Sequence, residues 1–377
     1  MLCLGELLAP IFIGLGADGY IPTLGLSALV WRLQQCDTAA VQKHIYIYSP
    51  SSAVRDKAGF KRGVKRLQAL GHAVEIDEHA LAKFQRFAGD DETRVAAIAR
   101  AAASGADVAL ISRGGYGLSR ILHAINYKAM AKAIEKGTQF VGQSDFTSLQ
   151  MALFAKTGAP TWAGPALGAD FGVDGTPDDI MEACFNDMIT GQGEGVGWRL
   201  PKPHETKATK ESKKPNHALA AIDSVAARAR ETSARQRFNI NKALLWGGNS
   251  AVLASLIGTP YFPTAAQTKG GVLFIEDVGE HPYRVERILT HLLHAGVLAN
   301  QKAIVFGQFS NYKLVPGYDS GFNLGAVAAR LQGQVKARVL TGLPFGHVAT
   351  KVLLPVGAKV TLAVDGRDAF VLWGHQH

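Results

Sequence analysis

Short apolar runs alternate with amphipathic segments over most of the chain, and this alternation constrains the fold more than any other feature. The run at 44–50 has the character of a buried strand. Residues 54–70 then place Phe60, Val64 and Leu67 on one face of a helix. Strands and helices that alternate in this way form βαβ units around a parallel sheet, so the sequence predicts an α/β fold.

The pattern extends through two regions that are separated by a polar stretch. In the first region it predicts strands at 72–77, 106–112 and 138–142, and helices at 94–103, 129–136 and 146–156. The second region begins at Lys242 and holds several strands and one long helix; its last two strands flank Asp365-Gly366, a hairpin signal. The length of 377 residues fits two domains. We predict an N-terminal extension at 1–43, an α/β domain at 44–200, a linker at 201–237 and a C-terminal domain at 238–377.

Residues 202–237 form the most basic stretch of the chain. They hold nine Lys and Arg against four Asp and Glu, a large share of the net charge of +9. A basic stretch can bind nucleic acid, but stacking on bases needs aromatic rings, and this stretch has no Phe, Trp or Tyr. We therefore predict a solvated linker, and keep a nucleic-acid-binding module as a rival hypothesis.

The N-terminal segment lacks the pattern of an export signal or a membrane span. Its apolar run at 7–16 is far shorter than the roughly 20 residues of a spanning helix. No basic residue precedes Arg32, whereas a signal peptide has positive charge before its apolar part. Three widely spaced cysteines without zinc or redox spacing suit a reducing compartment. We predict a cytoplasmic protein that needs no metal and no cofactor.

Gly14, Gly16 and Gly19 match a dinucleotide-binding fingerprint letter for letter. That motif works only where a helix opens at the third glycine, so that phosphate meets free N–H groups. Pro22 and Gly25 stand where this helix would run. We therefore do not expect a nucleotide-binding oxidoreductase.

Ser144 stands between a predicted strand and a predicted helix, in the motif GQSD at 142–145. A serine on such a sharp turn exposes its hydroxyl group, and the N–H of the next residue, Asp145, is then free to stabilise an oxyanion. Serine is also a preferred helix N-cap, so the motif alone leaves both roles open.

A glycine-rich turn, RGGYG at 113–117, follows the preceding predicted strand. Paired glycines at the carboxyl end of a parallel strand let backbone N–H groups approach a ligand, and ligands of open α/β sheets bind at that edge. The same composition also makes an ordinary turn. If the turn has a functional role, it and Ser144 face one crevice.

A serine nucleophile needs a base, and the base needs an acid that orients it. Among twelve histidines, His281 lies near Glu276 and Asp277, and His347 lies in a Gly/Pro-containing loop between two strands. Both histidines are candidates for the base. Glu276 ends a strongly apolar strand, where a carboxylate either caps a helix or has a functional role.

Taken together, these segments resemble the LD-carboxypeptidase (muramoyltetrapeptide carboxypeptidase) family of serine peptidases. The resemblance covers the chain from residue 44 onward, apart from the linker. Eight segments carry it in order: SPSS (49–52), RGGYG (113–117), GQSD (142–145), AGP (163–165), GGN (247–249), GTPY (258–261), IEDVGE (275–280) and GLPFGH (342–347).

The resemblance implies a flavodoxin-like N-terminal domain with a parallel sheet, a smaller swivelling β/α C-terminal domain and a homodimer. It also implies a catalytic triad and an oxyanion hole made of two backbone N–H groups. By position the triad is Ser144 as nucleophile, Glu276 as orienting acid and His347 as base, and the oxyanion donors are Gly115 and Asp145.

The implied reaction is hydrolysis of the L,D-amide bond that releases terminal D-alanine from a murein tetrapeptide, with no metal involved. Arg113 is a candidate to bind the free carboxylate, since a guanidinium can do so with two hydrogen bonds, and Tyr116 is a candidate to line the pocket. Both could instead only support the glycine-rich turn. A rival within the same fold is an amidase that cleaves peptide–nucleotide antibiotics and confers self-immunity.

Overall fold

The computed structural model describes residues 42–201 and 237–374. All but the last two residues of the predicted N-terminal extension, including its fingerprint-like glycines, lie outside the described residues, as does most of the basic linker.

Strands and helices alternate in the first half, and each predicted strand and helix there is confirmed. The elements are β1 (His44–Tyr48), α1 (Lys57–Ala69), β2 (Ala73–Ile76), α2 (Asp91–Ala103), β3 (Val108–Ile111), α3 (Leu118–Ile121), α4 (Tyr127–Glu135), β4 (Gln139–Gly142), α5 (Phe146–Thr157), β5 (Thr161–Ala163), α6 (Asp179–Thr190) and β6 (Gly195–Arg199). Aspartate caps begin three of the described helices: Asp56 accepts from the Gly59 N–H at α1, Asp90 from the Thr93 N–H at α2, and Asp178 from the Met181 N–H at α6. The short elements α3, β5 and β6 and the helix α6 were not predicted.

The second half begins with a long strand and ends with a hairpin. Its elements are β7 (Arg237–Asn249), α7 (Ser250–Ser255), α8 (Ala265–Thr268), β8 (Val272–Val278), α9 (Pro282–His294), β9 (Ala303–Ser310), α10 (Leu324–Gln334), β10 (Arg338–Leu340), β11 (Leu354–Val356), β12 (Lys359–Asp365) and β13 (Asp368–Leu372). The predicted hairpin is confirmed, because β12 and β13 pair antiparallel and Asp365 lies opposite Asp368.

The first sheet has the strand order β11-β5-β4-β3-β1-β2. All pairs except β11–β5 are parallel. The order 2-1-3-4-5 is that of flavodoxin-like sheets, so the predicted fold class of the first half is confirmed. In such sheets ligands bind at the carboxyl ends of the strands, and here β1, β3 and β4 are neighbours whose following turns meet at that edge.

Apolar side chains cover both faces of the first sheet. Alternate residues of one strand point to opposite faces, and accordingly Tyr46 and Tyr48 belong to a different buried cluster from Ile45 and Ile47. One cluster includes residues of α2, α4 and α5, and the other includes residues of α1 and α6. The sheet is therefore doubly wound, with helices on each face.

The second sheet has the order β10-β9-β8-β7-β12-β13-β6. Strands β7 to β10 pair in parallel. The sheet continues beyond β7 with three strands that each pair antiparallel to their neighbour, in the order β12, β13, β6. This is the predicted separate β/α unit of the second half. The parallel part places the ends of β7 and β8 side by side, with Asn249 opposite Glu276.

Each half of the chain lends one strand to the sheet of the other half. β6 precedes the linker yet pairs with β13 of the second sheet, and β11 comes from the second half yet pairs with β5 of the first. The predicted boundaries at residues 200 and 238 did not anticipate this exchange, and they stay a prediction. Among the described helices, none combines the length and the apolar character needed to cross a membrane.

Candidate active site

Ser144 occupies the turn between β4 and α5 with a φ of +64°. A residue with a side chain adopts this left-handed conformation at a cost, and such strain concentrates at functional sites. Residues 140–154 are all buried apart from Ser144, which is partly exposed. The turn therefore presents this hydroxyl at the surface at the start of a helix, as in a nucleophile elbow.

The glycine-rich turn after β3 lies directly against Ser144. A Cβ atom on Gly114 would come within 2.8 Å of the Cβ of Ser144, so only glycine allows this approach. Gly115 has a φ of +109°, and a Cβ there would lie 2.2 Å from the Oγ of Ser52. Ser52 also fixes the turn, because its Oγ accepts from the Tyr116 N–H at 3.0 Å.

The side chain of Asp145 joins the serine turn to the glycine-rich turn. Its buried carboxylate accepts from the Leu118 N–H at 2.9 Å and does not cap α5. Burial raises the pKa of this carboxyl group, against the backbone hydrogen bond. Within the described ranges, the N–H groups of Asp145 and Gly115 make no hydrogen bond, so both are available to a ligand.

Glu276 and His347 form a hydrogen-bonded pair, with 2.8 Å between Oε2 and Nδ1. Glu276 lies in β8 and is fully buried, whereas the His347 side chain is 22% exposed. Burial disfavours the charged imidazole, but the hydrogen bond and charge of Glu276 outweigh this, and the pKa of His347 is raised above its ordinary 6.5. With the proton on Nδ1 facing Glu276, the other ring nitrogen is free to accept a proton.

The loop that carries His347 is held against β9. Gln308 donates its N–H to the Phe345 carbonyl at 2.8 Å, and the Ser310 hydroxyl donates to the His347 carbonyl at 3.1 Å. A Cβ on Gly346 would lie 2.7 Å from the Gln308 carbonyl oxygen, so glycine is needed for this contact. The β9 strand thereby sets the imidazole beside Glu276 on the neighbouring strand β8.

Two hydrogen bonds connect the Ser144 segment to the half that carries Glu276 and His347. The Lys351 ammonium donates to Oε1 of Gln143 at 3.1 Å, and the Asn249 N–H donates to Oγ1 of Thr147 at 3.0 Å. These contacts lie on either side of Ser144 in the sequence. Although both residues are described, no hydrogen bond joins the Ser144 hydroxyl to the His347 ring.

Comparisons with known proteins give the family. Residues 45–164 match the model of the LD-carboxypeptidase N-terminal domain, and residues 242–362 match that of the C-terminal domain. A solved muramoyltetrapeptide carboxypeptidase from Oxalobacter formigenes is 32% identical with a TM-score of 0.70, and the match covers 88% of this chain and 98% of that one. The chain belongs to the LD-carboxypeptidase family of serine peptidases.

Other members of the LD-carboxypeptidase family carry two kinds of name. A probable murein peptide carboxypeptidase of Bacillus subtilis is 26% identical over 80% of this chain and 78% of its own length. The microcin C7 self-immunity protein MccF of Escherichia coli is 25% identical over 68% of this chain and 70% of its own length. A solved MccF structure with glutamyl sulfamoyl guanosine has a TM-score of 0.72 at 21% identity, which shows a shared fold.

His281, the rival base, has other partners in this LD-carboxypeptidase fold. Its Nε2 lies 3.1 Å from a carboxylate oxygen of Asp319, and its Nδ1 accepts from the Tyr283 N–H at the start of α9. It therefore acts as a helix cap, and the pairing with Glu276 belongs to His347.

The two predicted substrate-binding residues lie on the glycine-rich turn and contact the segments beside it. Arg113 donates to the Ala53 carbonyl at 2.9 Å, which braces the turn after β1. Tyr116 is 46% exposed, and its ring lies against that of Phe87 with 5.9 Å between centroids. In the described part of the chain, no cluster of three or more His, Cys, Asp or Glu side chains could hold a metal ion.

Three residues at the site were not assigned a role by sequence reasoning. Asn249 ends the segment GGN, and its Nδ2 donates to Oε1 of Glu276 at 3.2 Å and to Oδ1 of Asp277 at 2.9 Å. Lys351 and Asp170 form an ion pair of 2.6 Å in which each side chain is only 2% exposed. A lone lysine at the start of the apolar run at 351–356 is the sequence signal that could have indicated this pair.

Replacement of Lys351 by methionine is expected to lower the free energy of unfolding by about 3–5 kcal/mol, the usual cost of leaving one buried charge without its partner. Asp170 would lose the adjacent cation and would keep the hydrogen bond from the Ala166 N–H at 2.7 Å. Urea unfolding measures the change. Lys359→Met, at an exposed position of β12, is the control and should stay within about 0.5 kcal/mol. Equal stability of the two variants would contradict the assigned role of the pair.

Proposed function

We propose that this protein is a serine carboxypeptidase that hydrolyses the L,D-amide bond before the terminal D-alanine of a murein tetrapeptide. The main support is the strained, partly exposed Ser144 at the helix start, between two hydrogen bonds to the half that holds the Glu276–His347 pair. The relatives named for murein peptides and muramoyltetrapeptide support the substrate class.

In the proposed mechanism, His347 takes the proton of the Ser144 hydroxyl through Nε2 as the oxygen attacks the amide carbonyl. Glu276 keeps the Nδ1 proton in place and stabilises the imidazolium that forms. The imidazolium then protonates the leaving amine of D-alanine, and water releases the acyl group from the serine. Hydrogen bonds between a nucleophile and its base are often long without substrate and shorten in the complex.

The oxyanion would be stabilised by the free N–H groups of Asp145 and Gly115. Both are backbone donors on turns that neighbouring residues hold in place, through the Asp145 carboxylate and the Ser52 hydroxyl. Donors that need no reorganisation stabilise developing charge most effectively, and one such donor is typically worth about 100–1000-fold in kcat. The start of α5 adds a favourable partial positive charge.

Product analysis by mass spectrometry tests the substrate assignment. The protein would be incubated with a tetrapeptide that ends in an L,D-bond, with the D,D-diastereomer, and with a peptidyl sulfamoyl nucleoside. We expect release of D-alanine from the first peptide alone. Cleavage of the nucleoside conjugate with no loss of D-alanine would instead favour the self-immunity amidase, the activity named for the MccF relative. The cytoplasmic location and the homodimer stay predictions.

A further inference from the structure

Lys351 is a buried cation in the segment that follows His347. Its side chain is only 2% exposed, although the two residues before it in the sequence are exposed. A lysine is almost never buried to this extent unless its ammonium group is paired. The ammonium group of Lys351 bonds to the Asp170 carboxylate at 2.6 Å and donates to Oε1 of Gln143 at 3.1 Å. Both of these residues belong to the first half of the chain, so the cation is satisfied where the two halves meet.

Gln143 is the residue directly before Ser144, and it is itself buried. Its backbone carbonyl accepts from the Phe146 N–H at 3.3 Å, so the turn that it begins contains Ser144. Its side-chain oxygen accepts from the ammonium group of Lys351. A hydrogen bond from a charged donor is stronger than one between neutral groups, and burial strengthens it further. Lys351 therefore holds the first residue of the serine turn.

The segment of Lys351 is also attached to the loop that carries His347. Lys351 follows His347 by four residues, and the next N–H, that of Val352, donates to the Pro344 carbonyl at 2.8 Å. The strand β11 begins soon after Lys351 and joins the first sheet beside β5. The ammonium group therefore lies at the point where the loop of His347 is attached to the half that carries Ser144.

We propose that Lys351 is a positioning residue that acts through Gln143 to hold the turn of Ser144. The contact keeps this turn in a fixed place relative to the loop of His347, so that substrate binding can bring the hydroxyl and the imidazole into hydrogen-bond contact. Asp170 supplies the counter-charge that lets the cation stay buried. This role rests on the proposed function, and it adds a buried polar contact between the halves as a determinant of kcat.

Gln143→Met tests the role without removing the ion pair, because methionine keeps the length of the side chain and lacks the acceptor. We expect kcat for D-alanine release to fall about 10–100-fold with KM nearly unchanged, since a small misplacement of the nucleophile affects the attack and not the binding. The rate at which a fluorophosphonate labels Ser144 should fall by a similar factor, and that reaction does not depend on the peptide. Gln139→Met is the matched control. It removes an amide at the other end of β4, where Nε2 donates to the Met188 carbonyl at 3.4 Å, and should leave both rates unchanged.

A double-mutant cycle separates this role from a general effect on folding. Lys351→Met should slow the labelling of Ser144 about 10–100-fold in the otherwise unaltered protein, and at most about twofold in the Gln143→Met background. Because Lys351→Met leaves the charge of Asp170 without its partner, the double variant Lys351→Met/Asp170→Asn is measured beside it. This variant should regain resistance to urea and keep the low labelling rate, because Gln143 still lacks its donor.

An equal loss from Lys351→Met in the two backgrounds, or an unchanged labelling rate in Gln143→Met, would overturn the positioning role. Recovery of the labelling rate together with stability in Lys351→Met/Asp170→Asn would also overturn it, because the lysine would then be needed only for folding. If the labelling rates follow the expected pattern but no D-alanine is released from the tetrapeptide, the proposed function fails and the positioning role stands.

Discussion

Replacement of Ser144 by alanine is expected to lower kcat for D-alanine release by about 10⁵–10⁶-fold, as loss of the nucleophile does in serine peptidases. No neighbouring group can take over, since the oxygen that attacks must lie at this turn to meet the N–H groups of Asp145 and Gly115. Residual turnover would come from the oxyanion donors and from substrate binding alone. Steady-state kinetics and urea unfolding on the same preparation separate chemistry from folding.

Two further variants test whether the loss of activity is due to the Ser144 hydroxyl itself. Ser144→Gly removes the side chain at a φ of +64°, so it should be as inactive as the alanine variant yet more stable by about 1 kcal/mol. Ser148→Ala removes a hydroxyl one turn later in α5, at a buried position, and should keep nearly full activity. Substantial turnover by Ser144→Gly would contradict the assignment of the nucleophile.

Replacement of Glu276 by glutamine is expected to lower kcat by about 10⁴-fold. Asn249 donates to Oε1 of Glu276, so a glutamine would turn its carbonyl oxygen toward Asn249 and its NH₂ group toward His347. The ring would then have to accept at Nδ1 and carry its proton on Nε2. In that tautomer it cannot take the proton of Ser144, although the geometry is almost unchanged.

The same substitution is expected to move the pH profile in a defined direction. His347 acts as a base only when it is neutral, and Glu276 raises its pKa above 6.5, so the acid limb of kcat/KM should lie above pH 6.5 in the unaltered protein. Without the carboxylate, burial and the charge of Lys351 both lower the pKa of the ring. In Glu276→Gln, the acid limb of the pH profile of the residual kcat/KM should therefore shift to lower pH.

Glu286→Gln is the control for this pair of measurements, because it removes a carboxylate on α9 that faces Arg330. It should leave kcat within about twofold and the pH limb in place. If the acid limb of the pH profile stays at the same pH in Glu276→Gln, a group other than His347 controls it.

Local sequence patterns were sufficient to predict the parallel sheet of the first half. The strand at 44–50 and the helix at 54–70 have strong periodicity and clear ends, and both formed within a few residues of their predicted bounds. β11 has three residues and contains Pro355, so it carries almost no strand signal and fits only at the edge of a sheet. Its exchange into the first sheet depends on how the whole chain packs.

The candidate active site also contains parts that the sequence could predict and parts that it could not. The positions of Ser144 and of the glycine-rich turn could be inferred because each directly follows a strand in the sequence. The Lys351–Asp170 ion pair could not, because the two residues are far apart in sequence and meet only when the halves assemble. The contact between Asn249 and Glu276 depends on the register of β7 against β8, which no local pattern fixes.

The most direct test of the account is labelling with a serine-reactive fluorophosphonate, followed by peptide mapping. Because attack on phosphorus needs an activated hydroxyl, we expect one adduct, on Ser144, and labelling that is at least about 100-fold slower in His347→Ala. Modification of a different serine, or equal rates of labelling in the two proteins, would contradict the proposal that His347 activates Ser144.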